Sequence, residues 1–144
     1  MFVGEYSHNI DAKGRITMPA KFREQLGNCF MVTKGFEGCL FVYPMDAWTE
    51  LAENLSKLPS NQKSARYLQR TFLSGAAEAE PDKQGKVLIT PPHREYAGLE
   101  KEVVIIGVSK RVEIWSAARW KEYSESENEM SLDEAAESID EICF

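Results

Sequence analysis

Asp11-Ala12-Lys13-Gly14-Arg15 and, 71 residues later, Asp82-Lys83-Gln84-Gly85-Lys86 are one motif written twice, and the fold class follows from that repetition. At the same shift Ile16 falls on Val87, Met18 on Ile89, Arg23-Glu24 on Arg94-Glu95 and Gly27 on Gly98. One inserted residue moves the shift to 72, where Gly35 meets Gly107, Val42 meets Ile114, Tyr43 meets Trp115 and Trp48 meets Trp120. Agreement in this order marks two copies of a unit of about 45 residues, over 5–47 and 76–119, with a linker over 48–75 and a tail over 120–144. A unit that short buries too little apolar surface to stand alone, so the two copies are expected to complete one shared core.

Each copy predicts a strand ending in Asp-x-x-Gly, a second strand, a short helix and two more strands. Asp11 and Gly14 suit positions i and i+3 of a type I turn, Asp by hydrogen bonding to the backbone and Gly by accepting φ > 0; Asp82 and Gly85 repeat the pattern. A tight hairpin is expected at each turn. Arg15-Ile16-Thr17-Met18 alternates polar and apolar, which turns Ile16 and Met18 into a core and leaves Arg15 to face solvent or a ligand. Pro19 and Gly27 bound a short helix carrying Phe22 and Leu26, and Thr90, Pro91 and Gly98 do the same in the second copy. Residues 30–33 and 39–43 are strand-like runs around a glycine turn, echoed at 102–108 and 112–115.

Between the copies, Trp48, Leu51, Leu55 and Leu58 recur at helical spacing, Pro59 interrupts, and Ala65, Leu68 and Phe72 recur before Gly75, predicting a helical hairpin over 46–74. In the tail, Ser131 and Glu134 form a capping box ahead of Leu132, Ala136, Ile139 and Ile142. A short acidic amphipathic helix is expected there, with its apolar stripe docked on its own body or on a neighbouring subunit.

A chain of 144 residues is one domain's worth, and 43% hydrophobic with 28% charged residues places it among soluble globular proteins, not disordered or disulfide-packed ones. Val103-Val104-Ile105-Ile106 is far shorter than the roughly 18 residues of a membrane span. The opening Met1-Phe2-Val3-Gly4-Glu5 lacks the basic and apolar regions of a signal peptide, so a cytoplasmic protein is expected. Cys29, Cys39 and Cys143 lack any C-x-x-C spacing and have only His8 and His93 as imidazole partners, which disfavours zinc; Cys29 and Cys39 read as small hydrophobes.

The net charge of -6 hides an asymmetry: residues 124–144 carry eight acids (Glu125, Glu127, Glu129, Asp133, Glu134, Glu137, Asp140 and Glu141) and no base, so the body before them is slightly basic. Lys13, Arg15, Lys21 and Arg23 crowd beside a single acid, Asp11, at a density suited to phosphates or to a plain solvated face. Neither histidine sits in both copies as an essential base should, and there is no G-x-x-x-x-G-K-[ST], G-x-G-x-x-G or H-E-x-x-H. No catalytic residue, metal or cofactor is therefore expected. A repeated β turn carrying a basic side chain just past the glycine fits nucleic acid better, since a guanidinium at Arg15 pairs in a plane with guanine or phosphate while the ammonium of Lys86 is a point charge. The alternative for Asp11 and Arg15 is an ion pair that only stabilises the turn.

These residues, together with Met1-Phe2-Val3-Gly4-Glu5-Tyr6, Pro19-Ala20-Lys21-Phe22-Arg23, Arg94-Glu95-Tyr96-Ala97-Gly98-Leu99 and Glu113-Ile114-Trp115, resemble the MraZ family over residues 1 to about 123. The resemblance implies a transcription factor acting on a division and cell-wall operon, with two AbrB/SpoVT-like swapped-hairpin domains per chain. On that basis the fold is a mixed α/β, mainly β structure: tandem half-barrels closing into one pseudo-twofold barrel, with a helical linker and a helical tail. It also implies a homo-oligomeric ring that binds double-stranded DNA at direct repeats upstream of its own operon, nucleoid-associated and off the membrane. The family's DNA-contacting arginine falls on Arg15; position 86 carries Lys. The DNA-binding candidates are thus Arg15, Lys13, Lys21 and Arg23 in the first copy and Lys83 and Lys86 in the second, on turns formed by Asp11, Gly14, Asp82 and Gly85. Two rival readings stand beside this one: an antitoxin-like protein that binds DNA and wraps a partner with its tail, and a structural ring that binds no DNA.

Overall fold

The computed structural model describes residues 1–126 and 130–142; Glu127, Glu129 and Cys143 lie outside the described residues. The chain runs through β1 (Phe2–Asn9), β2 (Arg15–Thr17), α1 (Ala20–Leu26), β3 (Phe30–Lys34), β4 (Leu40–Pro44), α2 (Met45–Ser56), α3 (Lys63–Ser74), β5 (Ala77–Ala79), β6 (Lys86–Leu88), α4 (Pro91–Ala97), β7 (Glu102–Ser109), β8 (Arg111–Ser116), α5 (Ala117–Glu125) and α6 (Leu132–Glu137). It is a mixed α/β structure in which every strand pairing is antiparallel.

Six strands form one sheet in the order β1-β7-β8-β4-β3-β5, and β2 pairs with β6 in a separate two-stranded ribbon. Exchanging each strand of one repeat for its counterpart in the other leaves both orders unchanged. The expected closed barrel does not form. Beyond each turn the two strands part, β1 going to β7 and β2 to β6, so the ribbon leaves the main ladder and the sheet stays open with β1 and β5 at its edges. For the same reason each tight hairpin is a turn without a hairpin ladder behind it.

Alternation along the strands buries both faces of the sheet. Phe30, Val32, Leu40, Val42, Val103, Ile105, Val112 and Ile114 point one way, where Ile16 and Val87 of the ribbon, Phe22 and Leu26 of α1 and Ala97 of α4 cover them. Ile16 and Val87 are fully buried, which stabilises the ribbon's docking by roughly 1.5–3 kcal/mol per side chain. Phe41, Tyr43, Val104, Ile106 and Trp115 point the other way, against Leu55 of α2, Phe72 of α3 and the partly buried Trp120 of α5. This two-sided burial explains why Val103-Val104-Ile105-Ile106 reads as an unbroken apolar run. One carboxylate, Glu113, is buried on the helix side, where Arg111 (2.8 Å) and the Trp115 indole N–H (2.9 Å) hold it.

The helical hairpin of the linker forms as α2 and α3, tied by the Gln69 amide donating to the Leu55 carbonyl at 2.7 Å. In the tail, Ser131 caps α6 by accepting the Glu134 N–H at 3.1 Å. Its apolar stripe is not docked on the body: Leu132 is 85% exposed, and Ile139 and Ile142 are both above half. A six-residue helix in an acidic segment presents too little apolar area to hold such a contact against its own ordering cost.

Candidate nucleic-acid interface

Each turn is built by its aspartate. One oxygen of Asp11 accepts the backbone N–H groups of Lys13 and Arg15, both at 2.9 Å, and one oxygen of Asp82 accepts those of Gln84 (2.8 Å) and Lys86 (2.9 Å). The Gly14 N–H closes onto the Asp11 carbonyl at 3.0 Å, and the Gly85 N–H onto that of Asp82 at 2.9 Å. Both glycines are buried with φ near +80°, the left-handed region where a Cβ is strained. The Arg15 and Lys86 N–H groups respectively are the largest cause holding the Asp11 and Asp82 carboxyls below the usual carboxylate range, since hydrogen bonds favour the ionised acceptor.

The ribbon then brings the two turns together. Its register pairs Arg15 with Leu88, Ile16 with Val87 and Thr17 with Lys86. Arg15 Nε binds Asp11 at 2.9 Å and its Nη1 reaches Asp82 of the other repeat at 3.5 Å, while Lys86 Nζ reaches back to Asp11 at 3.8 Å. Each basic side chain is about one third exposed, enough to meet a ligand while its stem is held. Lys13 and Lys83 stand exposed on the two turns. With Arg15 and Lys86 they outnumber the two aspartates by two charges.

The remaining candidates separate. Lys21 is exposed on α1. Arg23 donates from Nε to the Met18 carbonyl at 3.0 Å, and its guanidinium lies over Gly85, so close that a Cβ there would sit 2.5 Å from Nη1. Arg94, which the sequence reading did not single out, lies over Gly14 in the same way, with its Nε buried. Each repeat's helix therefore holds down the other repeat's turn. The signal was present in the alignment of Arg23-Glu24 with Arg94-Glu95. Arg23 lies against the Gly85 turn, a different placement from that of Arg15.

His93 is buried with Nε2 2.6 Å from the Gly75 carbonyl, a structural position. Burial is also the main cause raising the thiol pKa of Cys29 and Cys39, and no group of three or more metal-ligating side chains converges among the described residues. No described helix is long and apolar enough to cross a membrane.

The family model of the MraZ protein matches residues 1–71 and again residues 72–142. The chain belongs to the MraZ family. The family model matches two consecutive stretches that together span nearly the whole chain. Among MraZ relatives, the transcriptional regulator MraZ of Lactobacillus delbrueckii subsp. bulgaricus is 53% identical over 142 residues, 99% of both chains. That of Heliobacterium modesticaldum is 54% identical over 139 residues, 96% of both. The MraZ of Caldanaerobacter subterraneus subsp. tengcongensis is 53% identical over 140 residues, 97% of both.

Proposed function

We propose that this chain is a sequence-specific, DNA-binding transcriptional regulator that works in the cytoplasm on the nucleoid. The observation carrying the reading is the β2–β6 ribbon, which sets Arg15 and Lys86 diagonally across one outward face, both reaching Asp11, with Lys13 and Lys83 on the flanking turns. A two-stranded ribbon is narrow enough for the major groove, where Arg15 offers paired donors to a guanine edge. Lys13, Lys83 and Lys86 contact phosphates, as does Lys21; Arg23 serves by fixing the second turn. The aspartates do not cancel this surface. They orient Arg15 before binding, which lowers the ordering cost of the contact.

In this reading identical subunits assemble into a ring, built from two swapped-hairpin domains per chain, and bind direct repeats upstream of their own operon. Linked sites of matched spacing exceed one site's affinity by about 100- to 10,000-fold. The transcriptional-regulator names of the relatives support the regulatory role. The test is fluorescence anisotropy on the duplex upstream of the protein's own coding sequence and on a shuffled control, across a salt series. Tight binding to the native duplex that weakens steeply with salt is the expected result; equal weak binding to both, or none, overturns it.

The exposed stripe of Leu132, Ile139 and Ile142 favours a second role, antitoxin-like capture of a partner by the tail. Tail removal that abolishes partner capture while sparing DNA binding is its signature.

A further inference from the structure

The outward face of the ribbon holds four side chains, Arg15, Thr17, Lys86 and Leu88, and they are not equivalent in pairs. The Ile89 N–H donates to the Gly14 carbonyl (2.9 Å) and the Met18 N–H to the Gly85 carbonyl (3.0 Å), which makes 14–89 and 18–85 hydrogen-bonded pairs at the two ends. Antiparallel pairs alternate, so Arg15–Leu88 and Thr17–Lys86 are the non-hydrogen-bonded pairs, whose side chains stand closest. Leu88 is 55% exposed although Val87 and Ile89 beside it are buried. An apolar side chain thus stands next to the guanidinium on one half of the ribbon, and a hydroxyl next to an ammonium on the other.

We propose that Leu88 is a specificity-determining residue that packs on the 5-methyl group of a thymine neighbouring the guanine read by Arg15. This deepens the DNA-binding reading and rests on it. The thymine methyl is the one apolar feature of the major-groove edge, and apolar side chains recognise it by contact. Repeat exchange puts Thr17 where Leu88 stands and Lys86 where Arg15 stands, so the Arg15–Leu88 half reads bases while the Thr17–Lys86 half holds the backbone. A ribbon with chemically distinct halves prefers a non-palindromic box and fixes its direction, which is what sites in direct repeat require.

The experiment is a deoxyuridine scan of the native upstream duplex, replacing one thymine at a time and so deleting one methyl. Binding by the wild-type chain is expected to fall about fourfold at one thymine per box, the value of one buried methylene-sized group. Leu88→Ala and Leu88→Gln are expected to bind the all-thymine duplex about fourfold more weakly and to lose sensitivity at that thymine alone. Both substitutions are at a solvent-facing position, and thermal unfolding confirms that the variants fold. A flat scan with the wild type, or an equal loss at that thymine in Leu88→Ala, overturns the Leu88 assignment while leaving DNA binding intact. No binding of the wild type to any duplex overturns the DNA-binding reading and this inference with it.

Discussion

The two repeats make the same turn with the same hydrogen bonds, yet they place different chemistry around it. Asp11 and Asp82 each gather two backbone N–H groups, and Gly14 and Gly85 share one left-handed conformation. Around that constant frame Arg15 is replaced by Lys86, Thr17 by Leu88 and Phe22 by His93. What both copies keep is what the fold needs, and what they vary faces outward or fills a local gap. Arg23 and Arg94 belong to the first group, because each closes over the other repeat's glycine.

The sharpest break in the comparison lies at Phe22 and His93. The Phe22 ring meets Phe2 and Tyr6 edge to face at 5.7 and 5.3 Å, whereas His93 fills its site with a hydrogen bond to the Gly75 carbonyl. Phe22→Ala is expected to cost about 3–5 kcal/mol through the cavity it leaves. His93→Ala is expected to cost about 1–3 kcal/mol through the stranded carbonyl. Urea unfolding of both variants checks the order; a larger loss at His93 would mean that the hydrogen bond, not the core, holds the α4 side.

At the exposed turn the expected order follows charge geometry. Arg15→Ala should weaken DNA binding by about 1–3 kcal/mol and relax preference at one base. Lys86→Ala should weaken all duplexes alike and reduce the salt slope by about one. Anisotropy on the native and shuffled duplexes, with oligomeric state checked, separates the two. Normal binding by a folded Arg15→Ala protein overturns the assignment.

Gly14→Ala and Gly85→Ala probe the part that the repeats share. Each adds a Cβ at positive φ, a strain of about 1–2 kcal/mol, and each pushes on a guanidinium whose end can swing aside. Equal losses are expected in thermal unfolding. A clearly unequal pair would show that Arg23 and Arg94 do not brace the two turns alike.

How much of this the sequence disclosed depended on whether the signal was local. The Asp-x-x-Gly turns, the caps at Gly27 and Gly98 and the capping serine of α6 are set by residues within a few positions of one another, and each appears where the spacing puts it. The partner of each strand is not local. Nothing within 15–18 says that β2 pairs with β6 rather than with β1, so the expected hairpin ladder and closed barrel gave way to an open sheet and a ribbon. The candidate surface divides along the same line. Arg15 was legible from alternation, whereas Arg94 and Leu88 acquire meaning only when strands 71 residues apart are laid together.

Acid titration tests the aspartates in both copies at once. Their folded pKa values lie below the ordinary value of 3.8, so the stability they supply is fully present above it and is lost as pH falls through the lower folded values. Asparagine keeps an acceptor for the turn but lacks the charge. The stability gap between the wild type and an Asp11→Asn, Asp82→Asn double variant should therefore be steady at pH 5 and close as pH falls below about 3.8 in denaturant titrations. A gap that persists at low pH would assign the turn's stability to shape alone.

The smallest effect is expected from the tail, where the two repeats have no counterpart at all. Leu132, Ile139 and Ile142 are exposed, so removing residues 126–144 should change unfolding free energy by less than about 0.5 kcal/mol. The same deletion removes a run of acids that repels phosphates, so affinity for the shuffled duplex should rise at low salt and converge with the full chain's at high salt, where screening shortens the field to a few ångströms. Affinity that rises and stays high in salt would point instead to a steric cover lifted from the turns. If the full chain assembles and the truncated one does not, the stripe lies against a neighbouring subunit, and the low stability cost in the isolated fold is then the expected sign of an interface kept for assembly.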